Sequence, residues 1–232
     1  MHDFHATEQM LRAQERTVAI PAGRARLPGT LAWPDHPSGL VLFAHGSGSG
    51  RRSVRNQRVA RQLRAAGLGT LLFDLLTEEE SAGRANIFDI DLLAGRLLAA
   101  TDWVAAETDT EGLPLGYFGA STGAAAALKA AGRTLTPVQA VVCRGGRPDL
   151  AGEDLPVVAA PTLLIVGGRD PAVRELNRQA LANLMCTKRL VVVPGATHLF
   201  EEPGTLEEAG MWAAEWFIHY LAMEPTWRKG RR

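Results

Sequence analysis

Cysteine is scarce in this chain: Cys143 and Cys186 are the only two among 232 residues. Two thiols exclude a disulfide-stapled secreted scaffold and fit a reducing, cytoplasmic setting. Neither stands at metal-ligand spacing from a histidine, and the six histidines are scattered, so no metal site is expected. Cys143 closes an apolar run and reads as core. No apolar stretch approaches the ~20 residues of a membrane span, so no membrane association is expected. Met1-His2-Asp3-Phe4-His5 lacks the basic-then-apolar form of a secretion signal. Charge of one sign is missing too: 25 basic residues balance 25 acidic ones, which argues against nucleic acid as a partner. Aromatics are only 6% of a chain that is 46% apolar, so the core is expected to be aliphatic and rich in alanine.

No internal repeat and no composition break divides the chain. A single domain over 1–232 is expected, with 1–15 as an N-terminal extension and 225–232 as a basic, solvated tail. Its interior reads as strands alternating with helices. Thr17 to Ile20 and Ala25 to Trp33 form an opening hairpin around Pro21-Ala22-Gly23, after a short amphipathic helix over Glu8 to Glu15. Leu40 to Ala44 is a buried strand. Val59, Leu63 and Ala66 share one face of a helix that Gly67 ends. Leu68 to Leu72 is the next strand, and a loop over Thr77 to Phe88 leads to a helix carrying Leu93, Leu97, Ala100 and Val104. Val138 to Cys143, Thr162 to Val166 and Leu190 to Val193 are later strands, and Leu206 to Leu221 marks a last helix. Such alternation calls for a mostly parallel central sheet with helices on both faces, an α/β fold.

Gly119-Ala120-Ser121-Thr122-Gly123 carries the most chemistry. The apolar run Leu115 to Phe118 leads in and the alanine-rich run Ala124 to Leu128 leads out. This is G-x-S-x-G between strand and helix, a sharp turn that projects a serine hydroxyl from the top of a sheet. The plain alternative is a serine that caps the helix. Two later residues favour chemistry. Asp170 follows the strand Pro161 to Gly168 and precedes Pro171, so it can be an acid, a helix N-cap, or both. His198 follows the strand Leu190 to Val193 through a short loop. Asp149 is a rival acid, also placed after a strand.

A serine hydroxyl is a weak nucleophile at neutral pH, so an imidazole must take its proton and a carboxylate must orient the imidazole. The order Ser121, Asp170, His198 suits this. The oxyanion of a tetrahedral intermediate also needs backbone N–H donors. Thr122 N–H is one candidate. The second should come from His45-Gly46-Ser47-Gly48-Ser49-Gly50, with Ser47 N–H favoured and Gly46 or Gly48 as alternatives. That loop matches neither a P-loop nor a dinucleotide fingerprint. His45 is expected to hydrogen-bond neighbouring loop backbone.

Arginines cluster near the same strand ends. Arg55 follows the glycine-rich loop, with Arg51 and Arg52 before it. Arg144 and Arg147 follow the strand ending at Cys143, and Arg169 precedes Asp170. Arg144, Arg147 and Arg55 are candidates to grip a substrate carboxylate with two hydrogen bonds. The competing expectation is internal pairing with Asp74, Asp149, Asp154 or Glu78-Glu79-Glu80.

On the His45-Gly46-x-Gly48 loop, the Gly119–Gly123 turn, Gly168-Arg169-Asp170 and Thr197-His198, the chain resembles the α/β-hydrolases, and within them the dienelactone hydrolase-like branch. The resemblance runs from about Thr17 to Leu221. It implies a compact hydrolase with little or no cap, needing no cofactor, acting on small ester or lactone substrates. Dienelactone hydrolases proper carry a cysteine where this chain has Ser121, and a glutamate where it has Gly46. The expected activity is a serine hydrolase of carboxylic esters or lactones. An acyltransferase or thioesterase would use the same three residues, and a non-catalytic binding protein could share the fold.

Overall fold

The computed structural model describes residues 14–222. The chain forms one eight-stranded sheet in the order β1-β2-β4-β3-β5-β6-β7-β8. These are β1 (Gln14–Ala22), β2 (Ala25–Trp33), β3 (Leu40–Ala44), β4 (Gly69–Phe73), β5 (Leu115–Ala120), β6 (Val138–Arg144), β7 (Thr162–Gly167) and β8 (Lys188–Val193). Strands β1 and β2 pair antiparallel, β2 meets β4 antiparallel, and every other pairing is parallel. Parallel strands buried on both faces read as unbroken apolar runs, as in Leu40-Val41-Leu42-Phe43-Ala44.

Successive side chains of a strand point to opposite faces, and the two cores follow that alternation. Leu40, Leu42, Tyr117, Val141, Cys143 and Leu164 enter one cluster. Val41, Phe43, Phe118, Val142, Leu163 and Ile165 enter the other. On the second face lie α1 (Val54–Ala65) and α7 (Thr205–Leu221), packed against each other. The first face is covered by α4 (Ile90–Ala106), α5 (Thr122–Arg133) and α6 (Pro171–Asn183). Alanines 124 to 127 are all buried, which lets α5 lie close to the sheet. Tyr117 brings a hydroxyl into this layer, where Thr101 of α4 hydrogen-bonds it at 2.6 Å. Burial pushes that phenol up to about 12.

Several sequence expectations change here. Residues 8–13 and the basic tail lie outside the described residues, but Gln14 and Glu15 belong to β1 rather than to a helix. They pair with Trp33 and Ala32 because the hairpin register runs the full length of β2. The loop over Thr77 to Phe88 contains two short helices, α2 (Glu78–Ser81) and α3 (Arg84–Phe88). A capping box starts α2: Thr77 Oγ1 accepts from Glu80 N–H, and Glu80 accepts from Thr77 N–H. That T-x-x-E signature was present in the sequence. Pro148–Val157 is a 3₁₀ segment, kinked at Gly152, and it packs on α5 and α6.

Candidate active site

The turn from β5 into α5 is tight. A Cβ at position 123 would lie 2.1 Å from the carbonyl oxygen of Ala44, and one at 119 would lie 2.5 Å from Cα of Ala124. Only glycine fits between backbones that close. Ser121 sits at the apex with φ 54° and ψ −124°, a conformation that L-residues rarely adopt and that surrounding structure must enforce. Its backbone is pinned to the next strand: Ser121 N–H donates to Arg144 O at 3.3 Å, and Arg147 N–H donates to Ser121 O at 3.0 Å. The hydroxyl makes no capping bond to α5, so the plain N-cap alternative fails.

Asp170 does two jobs. Oδ1 accepts from Val173 N–H at 3.3 Å, capping α6, and Oδ2 pairs with His198 Nδ1 at 2.8 Å. The carboxylate is mostly buried and the imidazole more open, at 15% and 38% side-chain exposure. Backbone bonds knit the two loops together: Gly168 N–H donates to Val193 O and Arg169 N–H to Ala196 O, at 2.8 and 2.9 Å. Two residues of the histidine loop that the sequence reading passed over help fix it. Glu202 accepts from Thr197 N–H at 3.0 Å, and that bond holds its carboxyl below the usual range. Phe200 is buried with φ 56°. No spacing rule announced either one.

Ser121, His198 and Arg144 line one cavity of about 190 Å³, with Ser47, Arg55 and Leu199 around them. This is smaller than the roughly 300–1,000 Å³ of sites for drug-sized ligands. The structure records no hydrogen bond from Ser121 Oγ to the imidazole. Triad hydrogen bonds are often long or poorly aligned until substrate is seated. A second cavity, about 690 Å³, opens across the glycine-rich loop against Asp74, Leu76 and Ile87. Neither Ser121 nor His198 lines it. The segment carrying α2 and α3 walls this second cavity through Glu78, Ser81 and Ile87.

One of the two oxyanion candidates already has an acceptor within the protein. Ser47 N–H, expected to face the substrate, donates to Thr122 Oγ1 at 2.9 Å. The threonine hydroxyl stands close enough to claim it, which sequence spacing could not show. Thr122 N–H is the first amide of α5 and has no intrahelical acceptor. His45 behaves as a backbone tie. Its Nδ1 bonds Gly46 O at 3.0 Å, and its Nε2 accepts from Leu75 N–H at 2.9 Å. Burial lowers its pKa.

The candidate arginines separate clearly. Arg147 makes a two-nitrogen pair with Asp149, and neither residue lines the cavity that holds Ser121 and His198. Arg51 pairs with Asp74, and Arg55 lies 3.6 Å from Glu201. Arg144, like Arg52 and Arg169 of the same cluster, has no acidic partner among the described residues, and it alone of the cluster is buried. It is 6% exposed, its Nε is buried without an acceptor, and its guanidinium lies over the Phe200 ring at 5.5 Å. An unsatisfied buried donor costs on the order of 1–3 kcal/mol, and more when charged. Asn56 Oδ1, in the same cavity wall, is likewise buried and unpartnered. Cys143 is fully buried, and burial raises its thiol pKa, as suits an inert core residue.

A crystal structure of a dienelactone hydrolase from Anabaena variabilis is 55% identical, covers 90% of this chain and 99% of its own, and superposes with a TM-score of 0.87. The chain belongs to the dienelactone hydrolase-like α/β-hydrolases. A Mycobacterium tuberculosis protein provisionally named a phosphoribosyl transferase is 58% identical over 216 residues, 93% of this chain and 48% of that protein. This hydrolase-fold chain therefore spans about half the length of that curated relative. An esterase domain from Rhodothermus marinus shares the fold at 21% identity and a TM-score of 0.73, covering 90% and 99% of the two chains. No known family's profile matches the chain.

Proposed function

We propose that this α/β-hydrolase is a serine hydrolase of small carboxylic esters or lactones that works through an acyl-enzyme. The observation that carries the reading is the 2.8 Å bond between Asp170 and His198 Nδ1, with His198 lining the same cavity as a strained serine free of any capping role. The name of the Anabaena structure and the esterase fold of the Rhodothermus domain support the same reaction class.

With Nδ1–H donating to Asp170, the Nε2 lone pair is left to act on Ser121. Ser121 Oγ bonds to the carbonyl carbon as its proton passes to Nε2, and the carbonyl oxygen becomes an oxyanion. In this reading Thr122 N–H, the first amide of α5, receives that charge. Ser47 N–H can add to it only by leaving Thr122 Oγ1. Collapse breaks the C–O bond to the alcohol, which takes the proton from the imidazolium. Water then gives its proton to His198 and attacks the acyl carbon. The carboxylic acid departs and Ser121 regains its proton. Asp170 stays ionised throughout and stabilises the imidazolium. The small cavity favours compact acyl groups.

A fluorophosphonate probe tests the reading. The wild type should label and hydrolyse short p-nitrophenyl esters, and Ser121→Ala should do neither. A wild type that neither labels nor turns over any ester, lactone or thioester would point to a binding protein instead.

A further inference from the structure

We propose that Arg144 anchors an anionic group, carboxylate or phosphoryl, on the substrate that Ser121 attacks. The inference rests on the hydrolase reading above and adds a substrate class to it.

Four observations carry it. Arg144 is more than nine-tenths buried, and its Nε is buried with no hydrogen-bond partner among the described residues. It lines the cavity that also holds Ser121 and His198. Arg51, Arg55 and Arg147 each stand beside a carboxylate instead. The walls of that cavity include two arginines and a histidine, but no aspartate or glutamate.

Position explains the arrangement. Arg144 ends β6 on the same face as Val142 and Ala140, the side occupied by α1. There its guanidinium meets Phe200 and the rim residue Arg55 rather than an acid. Burial, and then the like charge of Arg55, lower its pKa to about 10, so it remains a cation at neutral pH. A buried cation without a counter-ion is costly to maintain. A planar fork of N–H donors matches two oxygens of one anion. The Ser121–Arg144 backbone bond sets the two residues side by side on neighbouring strands, and both line one small cavity, so a single small substrate can reach both.

The test is kcat/KM for ester pairs of equal length that differ in a terminal methyl, carboxylate or phosphate, with the charge placed on the acyl chain in one series and on the alcohol in another. The wild type should prefer an anionic ester over its neutral isostere in at least one series, and the carboxylate and phosphate arms name the group. Arg144→Gln should cut that preference roughly ten- to a hundredfold, the worth of charge-assisted hydrogen bonds, mostly through KM. Arg144→Lys should restore part of it, and Arg147→Gln should leave it in place. Equal rates on charged and neutral esters in the wild type would overturn the proposal, even if no Arg144 variant folds. So would a preference that survives Arg144→Gln. Titrating Ser121→Ala with succinate and with inorganic phosphate separates the two readings. A wild type that hydrolyses nothing yet binds one of these anions through Arg144 would sink the hydrolase reading and leave Arg144 as an anion site only. Binding unchanged by Arg144→Gln would do the reverse.

Discussion

Ser121 and Asp170 both stand where a helix begins, and their side chains behave in opposite ways. Asp170 spends one oxygen on its helix and the other on His198. Ser121 spends nothing on its helix, because its backbone is twisted to φ 54° and the hydroxyl is carried away from the first-turn amides. An aspartate before proline is ambiguous in sequence, since both roles use the same residue, and here both are filled. Asp149, the rival that also follows a strand, is taken by Arg147, a local pairing that residue order alone did not show. The two carboxylates should therefore differ sharply in mutation. Asp170→Asn presents an N–H where the Nδ1 proton needs an acceptor, and kcat should fall by about 10⁴. Asp149→Asn should leave ester turnover near the wild-type rate. Steady-state kinetics of the two variants side by side checks this, and similar losses in both would contradict it.

At the scale of elements, strands were the easiest part to read, because strands buried on both faces leave apolar runs with no gaps. The sharp turn between β5 and α5 was legible for a steric reason, since glycines at 119 and 123 are demanded by backbone contact. Gly123→Ala would force a methyl to within 2.1 and 2.5 Å of the carbonyl oxygens of Ala44 and His45. It should cost upwards of about 3 kcal/mol and lower Tm by roughly 10 °C, measured by circular dichroism. An unchanged Tm would mean the turn is looser than described. The junction of β3 with β4 carries a pH signature. His45 bridges Gly46 O and Leu75 N–H as a neutral ring, and its folded pKa lies below the ordinary 6.5. Above pH 6.5 both folded and unfolded forms are neutral there, and the contribution is fully present. As pH falls from 6.5 toward the lowered folded value, the unfolded chain takes up a proton that the folded chain refuses, and stability is lost. Urea midpoints should drop between about pH 7 and pH 5, and His45→Gln should flatten that drop. A slope unaffected by the substitution would assign it to other groups.

Across the whole molecule, the serine, acid and histidine loops meet because β5, β7 and β8 run parallel and end at one edge of one sheet. Residue order was enough to anticipate that edge. It was not enough to say which arginine is buried without an acidic partner. Pairing depends on register and on what packs above the strand ends, as with Arg144 under Phe200. Nor could it show that Thr122 Oγ1 reaches the Ser47 amide across 75 residues. The central claim is that three loops converge to make Ser121 an acyl acceptor. Acid-quenched mass spectrometry during turnover of an activated ester tests it most directly. The acyl mass should appear on the peptide containing Ser121, should accumulate when His198→Ala slows its release, and should be absent from Ser121→Ala. Undiminished turnover by Ser121→Ala, or an acyl mass on any other residue, would contradict the account.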